Sequence, residues 1–286
     1  WCRSGAPAPP LPRGGRTADR LRYGRSMPGQ IRILRDGPIA YVVFDHPERR
    51  NAVTTEMWQA IPGIARELDQ DDAVRVVVLR GEGDVAFVSG ADISQFAESR
   101  TGDKAAQYDM DNLEAFESIA TIGKPVIAAI HGFCIGGGCA IALCADLRYS
   151  ADDGVFAIPA ARLGLGYGAE SMAKLIRVVG EPSAKEIFMT ARRFDAQEAF
   201  DMGLVNRVLP KGELDAFVRK AAEGIAENAP LTLRAAKTTF AEQALPESLR
   251  RPEKVEAAIA RCFASEDYDE GVRAFLEKRR PAFKGR

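Results

Sequence analysis

The chain has 286 residues, 46% of them hydrophobic and 28% charged, with a formal net charge of −1. This is the composition of a globular domain with a sizeable core, and it argues against nucleic acid as a general partner. Five cysteines without a CxxC pair, and only His46 and His131, argue against a Cys/His metal site.

Residues 1–26 hold six arginines, one acid (Asp19) and no apolar run of signal-peptide length. They read as a disordered or over-extended leader, with a transit peptide as the alternative. The first reading implies a cytoplasmic protein and the second a mitochondrial matrix protein. From Met27 the pattern becomes regular. "IRILRDGPIAYVVFD" (31–45) predicts two strands joined by an Asp-Gly-Pro turn. "TTEMWQAIPGIARELDQD" (54–71) has helical apolar spacing, with a kink expected at Pro62-Gly63. "VRVVVLRGEG" (74–83) predicts a buried strand and turn. "FVSGADISQFAES" (87–99) predicts a strand, a tight turn and a helix onset with Asp92 placed to cap.

A helix is expected over 107–125, stopped by Gly-Lys-Pro, then a strand "VIAAI" (126–130) and a helix from Gly136 onward. "DLRYSAD" (146–152) and "GVFAIP" (154–159) predict two short strands, with Asp146 and Arg148 read as an ion pair. The alternation predicts an α/β core over 27–194, followed by a mostly helical region over 195–286. The longest apolar stretch, Pro125–Ala145, is broken by its proline, by His131 and by glycines at 132 and 136–138, so no membrane span is expected. Cys134, Cys139 and Cys144 lie in this stretch and read as buried free thiols of a reducing compartment. His131 reads as a core residue.

Within it, "HGFCIGGGCAIAL" (131–143) puts three glycines at the start of a helix. Free N–H groups there attract negative charge. The spacing fits neither a dinucleotide fingerprint nor a P-loop, since no Gly-Lys-Ser/Thr follows. What remains is a pocket for an oxygen that becomes negative during a reaction, with a second amide from "SGADI" (89–93).

"FVSGADI", "KPVIAAIHGFCIGGGCAIALCADLRYSAD", "ARRFDAQEAFDMGLVNRV", "HPERRNAVTTEM" and "EGVRAFLEKRRPAF" together resemble the enoyl-CoA hydratase/isomerase (crotonase) superfamily, over residues 29–286. The resemblance implies a spiral of ββα units with a C-terminal helical trimerisation region, and a homotrimer or hexamer. It implies an acyl-CoA thioester as substrate, coenzyme A entering as part of that substrate, and no separate cofactor. The amides of Ala91 and Gly137 would hold the thioester oxygen. Asp92, Ile93 and Ser94 would line the CoA nucleotide, with Arg49 and Arg50 near the entrance and Lys278 reaching a CoA phosphate across a subunit boundary.

The chain departs from the family's two-glutamate pattern. Ala140 and Ala160 stand at those positions, and alanine carries no proton. An intact oxyanion pocket without those acids suits chemistry that makes a thioester enolate without removing a carbon-bound proton, such as decarboxylation of a 2-carboxyacyl-CoA. Tyr167, in "RLGLGYGAESM", falls where some superfamily decarboxylases carry a tyrosine. The alternatives are a hydratase or isomerase that uses Glu170 as its acid/base, and an acyl-CoA-binding protein without catalysis.

Overall fold

The computed structural model describes residues 29–95 and 103–286. The leader lies outside the described residues, as does the segment after Gln95.

The first strands are β1 (Gln30–Asp36) and β2 (Ile39–Asp45), an antiparallel hairpin turned at Gly37, where φ is +56°. Helix α1 (Thr55–Gln70) follows, its Thr54 hydroxyl accepting the Met57 amide as an N-cap. It runs on through Pro62, so the expected kink does not divide it. Next come β3 (Val76–Gly81), β4 (Ala86–Val88) and α2 (Asp103–Ala120). The unit then repeats as β5 (Val126–Ile130), β6 (Phe133–Ile135) and α3 (Gly137–Cys144). A third pass gives β7 (Leu147–Ala151), β8 (Val155–Ala157), a short α4 (Ala160–Leu163) and α5 (Ala169–Thr190), which breaks at Gly180, where φ is 74°.

Strands β1 and β2 both join one sheet; in the pairs β3/β4, β5/β6 and β7/β8 the first strand joins that sheet and the second joins another. The six-stranded sheet has the order β1-β2-β3-β5-β7-β10, and the four-stranded sheet β4-β6-β8-β9. Each ββα unit is therefore one step of a spiral. The short strands β9 (Phe194–Asp195) and β10 (Arg207–Leu209), with α6 (Ala196–Asp201) between them, extend both sheets beyond residue 194. Helices α7 (Leu214–Ala226), α8 (Pro230–Gln243), α9 (Pro252–Phe263) and α10 (Glu266–Leu276) complete the described chain.

The unbroken apolar strands are explained by burial on both faces of the large sheet. Ala40, Val42 and Phe44 of β2 face the core between the sheets and helices. Ile39, Tyr41 and Val43, one residue out of phase, face α7 through Leu214, Val218 and Ala222. Val77/Leu79 and Val76/Val78 of β3 divide the same way. Among the described residues, no helix is long and apolar enough to cross a membrane.

Two expectations about side chains resolve in this frame. His131 is buried and its Nε2 lies 2.8 Å from Asp215 Oδ1, a structural role as expected. Arg148 and Asp146 do not pair. The Arg148 guanidinium donates to the carbonyls of Leu204 (2.8 Å) and Ala145 (2.6 Å). Asp146 instead accepts the Val126 amide and the Lys237 ammonium. Neighbours on a strand point to opposite faces only when adjacent; at i and i+2 the pair could have met, but tertiary carbonyls outcompete it.

Candidate active site

The chain turns out of β4 through Gly90, whose φ of 112° is left-handed territory that glycine occupies without strain. Val53 clamps this turn from the side: its amide donates to the Gly90 carbonyl and its carbonyl accepts the Asp92 amide, each at 2.9 Å. That leaves the Ala91 N–H between them without an acceptor among the described residues.

The second turn, out of β6, uses the three glycines for three different reasons. Gly136 has a φ of +53° and donates its amide to the Ala157 carbonyl. Gly138 packs so tightly on β4 that a β-carbon there would stand 2.1 Å from the Val88 carbonyl oxygen. Gly137, between them, is the first residue of α3, and its N–H also finds no acceptor among the described residues. A β-carbon on Gly137 would lie 3.5 Å from the Ala91 nitrogen. The two free amides thus belong to one locus, and the positive end of α3 is aimed there.

They open on a cavity of about 650 Å³. One wall is aromatic and comes from α1 and α2: Trp58 and Phe116 meet edge to face with centroids 5.3 Å apart. The opposite wall contains Ala140, Ala160, Tyr167 and Glu170. Tyr167 rests edge to face on Phe188 at 5.2 Å, and Glu170 is an exposed carboxylate in the first turn of α5. Ala140 and Ala160 present methyl groups to the cavity. Among the described residues, the charged lining consists of Asp92, Asp109 and Glu170 against Arg49.

The sequence-derived site residues fall into two groups. Ala91, Asp92, Ile93, Gly137, Tyr167 and Glu170 all line the cavity. Ser94 does not; its amide and hydroxyl both donate to Asp92 Oδ1, so it shapes the turn. Arg50 also turns away, its guanidinium stacked 4.5 Å over the Phe133 ring, while Arg49 lines the cavity. Lys278 is exposed at the end of α10 and is not part of the lining.

Sequence reasoning missed Trp58, Phe116 and Asn112. Trp58 Nε1 and Asn112 Oδ1 are buried without a partner among the described residues, and both residues line the cavity. Asn112 carried no signal in the sequence, because α2 is polar along most of its length. Among the described residues, no group of three or more His, Cys, Asp or Glu side chains is arranged to hold a metal ion.

Comparison with known proteins agrees on one group. A family model for enoyl-CoA hydratase/isomerase matches residues 35–286. The chain is 35% identical to a crotonyl-CoA hydratase of Syntrophomonas wolfei over 254 residues, covering 88% of this chain and 97% of that one. It is 32% identical to a carnitinyl-CoA dehydratase of Salmonella typhi, covering 91% and 100%. Among solved structures, an enoyl-CoA hydratase/carnitine racemase of Magnetospirillum magneticum superposes with a TM-score of 0.86 at 36% identity, covering 90% of this chain and 96% of that chain.

Proposed function

The chain belongs to the enoyl-CoA hydratase/isomerase family, and from that premise we propose that it adds water to, or removes it from, an acyl-CoA thioester through an enolate held by the Ala91 and Gly137 amides. One observation carries this reading: two acceptor-free backbone N–H groups from different turns meet at one end of a cavity. Preorganised donors of this kind act on the oxygen that gains charge in the transition state.

In the hydration direction, water adds to the β-carbon of a 2-enoyl thioester and loses a proton to the Glu170 carboxylate. The π electrons move to the thioester oxygen, between the two amides. Collapse of that enolate takes the proton from the Glu170 carboxylic acid to the α-carbon. Glu170 is supported in this role by its place in the lining and by having no ion-pair or hydrogen-bond partner among the described residues. A general acid/base of this kind typically contributes 10²–10⁴-fold.

Decarboxylation, the reaction favoured by the missing glutamates alone, is the second reading, and Tyr167 in the cavity wall speaks for it. The lining's charge near the acyl group speaks against it: among the described residues Glu170 stands beside Tyr167 in the wall, with no lining cation from that wall to hold a substrate carboxylate. The names of the relatives, a hydratase and a dehydratase, lean the same way.

CoA would enter past Arg49 and the Asp92-Ile93 turn. A role for Lys278 at a CoA phosphate requires a neighbouring copy of the chain, since Lys278 is not at the cavity of its own. Self-association is supported by large apolar side chains exposed on the C-terminal helices and the turn between them, among them Phe240, Leu249, Phe263, Phe275 and Leu276. We read the assembly as a homotrimer or a dimer of trimers.

The deciding experiment follows crotonyl-CoA and methylmalonyl-CoA by mass spectrometry with the wild type, Glu170→Gln and Tyr167→Phe. Loss of the enoyl absorbance on crotonyl-CoA, abolished by Glu170→Gln and spared by Tyr167→Phe, is expected. CO₂ release sensitive to Tyr167→Phe would replace hydration with the second reading.

A further inference from the structure

The molecule has a second cavity, of about 500 Å³, that shares no lining residue with the first. It lies at the N-terminal ends of β3 and β5, under α8 and the chain's last residues. Its lining includes Arg75, Lys124, Arg234, Arg261, Lys284 and Arg286. Asp72 is the one carboxylate in the lining among the described residues; behind the cations stand Asp69, 3.3 Å from Arg234, Asp71 beside Lys124, Glu266, 3.6 Å from Lys284 and 3.5 Å from Arg286, and Asp267 on the Lys284 and Gly285 amides. Six cations therefore line the cavity against one lining carboxylate, with four more carboxylates behind them. The chain as a whole carries −1, so this excess is local.

Lys124 donates to the carbonyls of Leu68 and Asp71, both at 2.6 Å, with Asp69, Asp71 and Asp72 around its ammonium. Arg75 donates to the Phe283 carbonyl at 3.2 Å. Arg261 has no partner among the described residues. The cavity is also held in shape: buried Asp267 accepts the amides of Lys284 and Gly285, at 2.6 and 2.8 Å, and so pins the residues that form one wall. Between the cations the walls are apolar, through Val74, Ile225, Leu231 and Phe283.

We propose that this cavity binds a small phosphorylated molecule, a phosphate or diphosphate group on an apolar body, at a site separate from the acyl-CoA cavity. Guanidinium groups match phosphate oxygens with paired N–H donors, and ammonium groups add charge from any direction. Among the described residues, the first cavity is lined by three carboxylates and one arginine, and the second by six cations and one carboxylate.

The test is isothermal titration of the full chain with inorganic pyrophosphate and with phenyl phosphate, in the presence and absence of saturating CoA. Arg261→Ala and Lys284→Ala are compared with the wild type, with the melting temperature as a check that both fold. Binding that persists with CoA present, tightens from phosphate ester to diphosphate, and weakens about tenfold in Arg261→Ala is expected. Absence of binding, displacement by CoA, or binding undiminished in both variants overturns the proposal.

Discussion

The Ala91 amide nitrogen lies 3.5 Å from the point a β-carbon on Gly137 would occupy, and the Trp58 ring edge lies 3.2 Å from that same point. Any side chain on Gly137 therefore enters the space between the two free amides. Gly137→Ala is expected to keep the fold, because alanine is a good helix former and the clash is with a ring edge that can shift by a few tenths of an ångström. It is expected to lower kcat by about 10²–10³-fold, the typical cost of a lost oxyanion donor. Steady-state kinetics and a CoA-binding titration separate this from loss of substrate affinity, which should stay within a fewfold.

Arg148 tests the corrected reading of β7. Its buried guanidinium serves two backbone carbonyls rather than Asp146, and burial pulls its pKa down. Arg148→Met keeps most of the volume but leaves the Leu204 and Ala145 carbonyls without donors. A loss of about 2–4 kcal/mol is expected in urea unfolding. Asp146→Asn should separately weaken the Lys237 contact.

Cys144 gives a pH dependence. Burial pushes its thiol up to about 11, against an opposing pull from Lys174. The unfolded thiol titrates near about 8.5. A raised pKa on an acid means that the folded state favours the neutral thiol. Its contribution is complete below the unfolded pKa and is lost as pH rises from about 8.5 to about 11, by up to about 2–3 kcal/mol. Melting temperatures across that range should fall more steeply for the wild type than for Cys144→Ala. At pH 8 the buried thiols Cys134, Cys139 and Cys144 should resist iodoacetamide, while Cys262, partly exposed, should react.

The C-terminal helices supply the fourth prediction. Phe275 and Leu276 are 83% and 74% exposed, far more than such side chains tolerate together on a lone chain in water. Phe275→Asp with Leu276→Asp should shift light-scattering mass from the assembly to the single chain, leaving the far-ultraviolet circular dichroism unchanged. If Lys278 serves a neighbour's cavity, CoA affinity should fall with the assembly.

Much of the fold was readable because its signals are local. The β-branched runs of β2, β3 and β5 announce strands buried on both faces, and the helical spacing of 54–71 announces α1. The strands that went unread, β6, β9 and β10, are two or three residues long. No periodicity develops over such a length, and they exist because a sheet edge is already waiting. The two turns were readable through their glycines, and the resemblance singled out Ala91 and Gly137 within them. Arg50 was misleading because a guanidinium on a long stem can reach either the cavity or the Phe133 ring, and only packing chooses.

The amino-acid sequence by itself determined the longer strands and helices and the two glycine-bearing turns, because each is a matter of residue identity or short-range spacing. Only the tertiary structure decided that the two turns meet, that carboxylates outnumber cations around them, and that a second, cation-lined cavity forms under the last residues. Those are relations between positions far apart along the chain. They are set by how the spiral packs and by which side chains that packing leaves facing the same space.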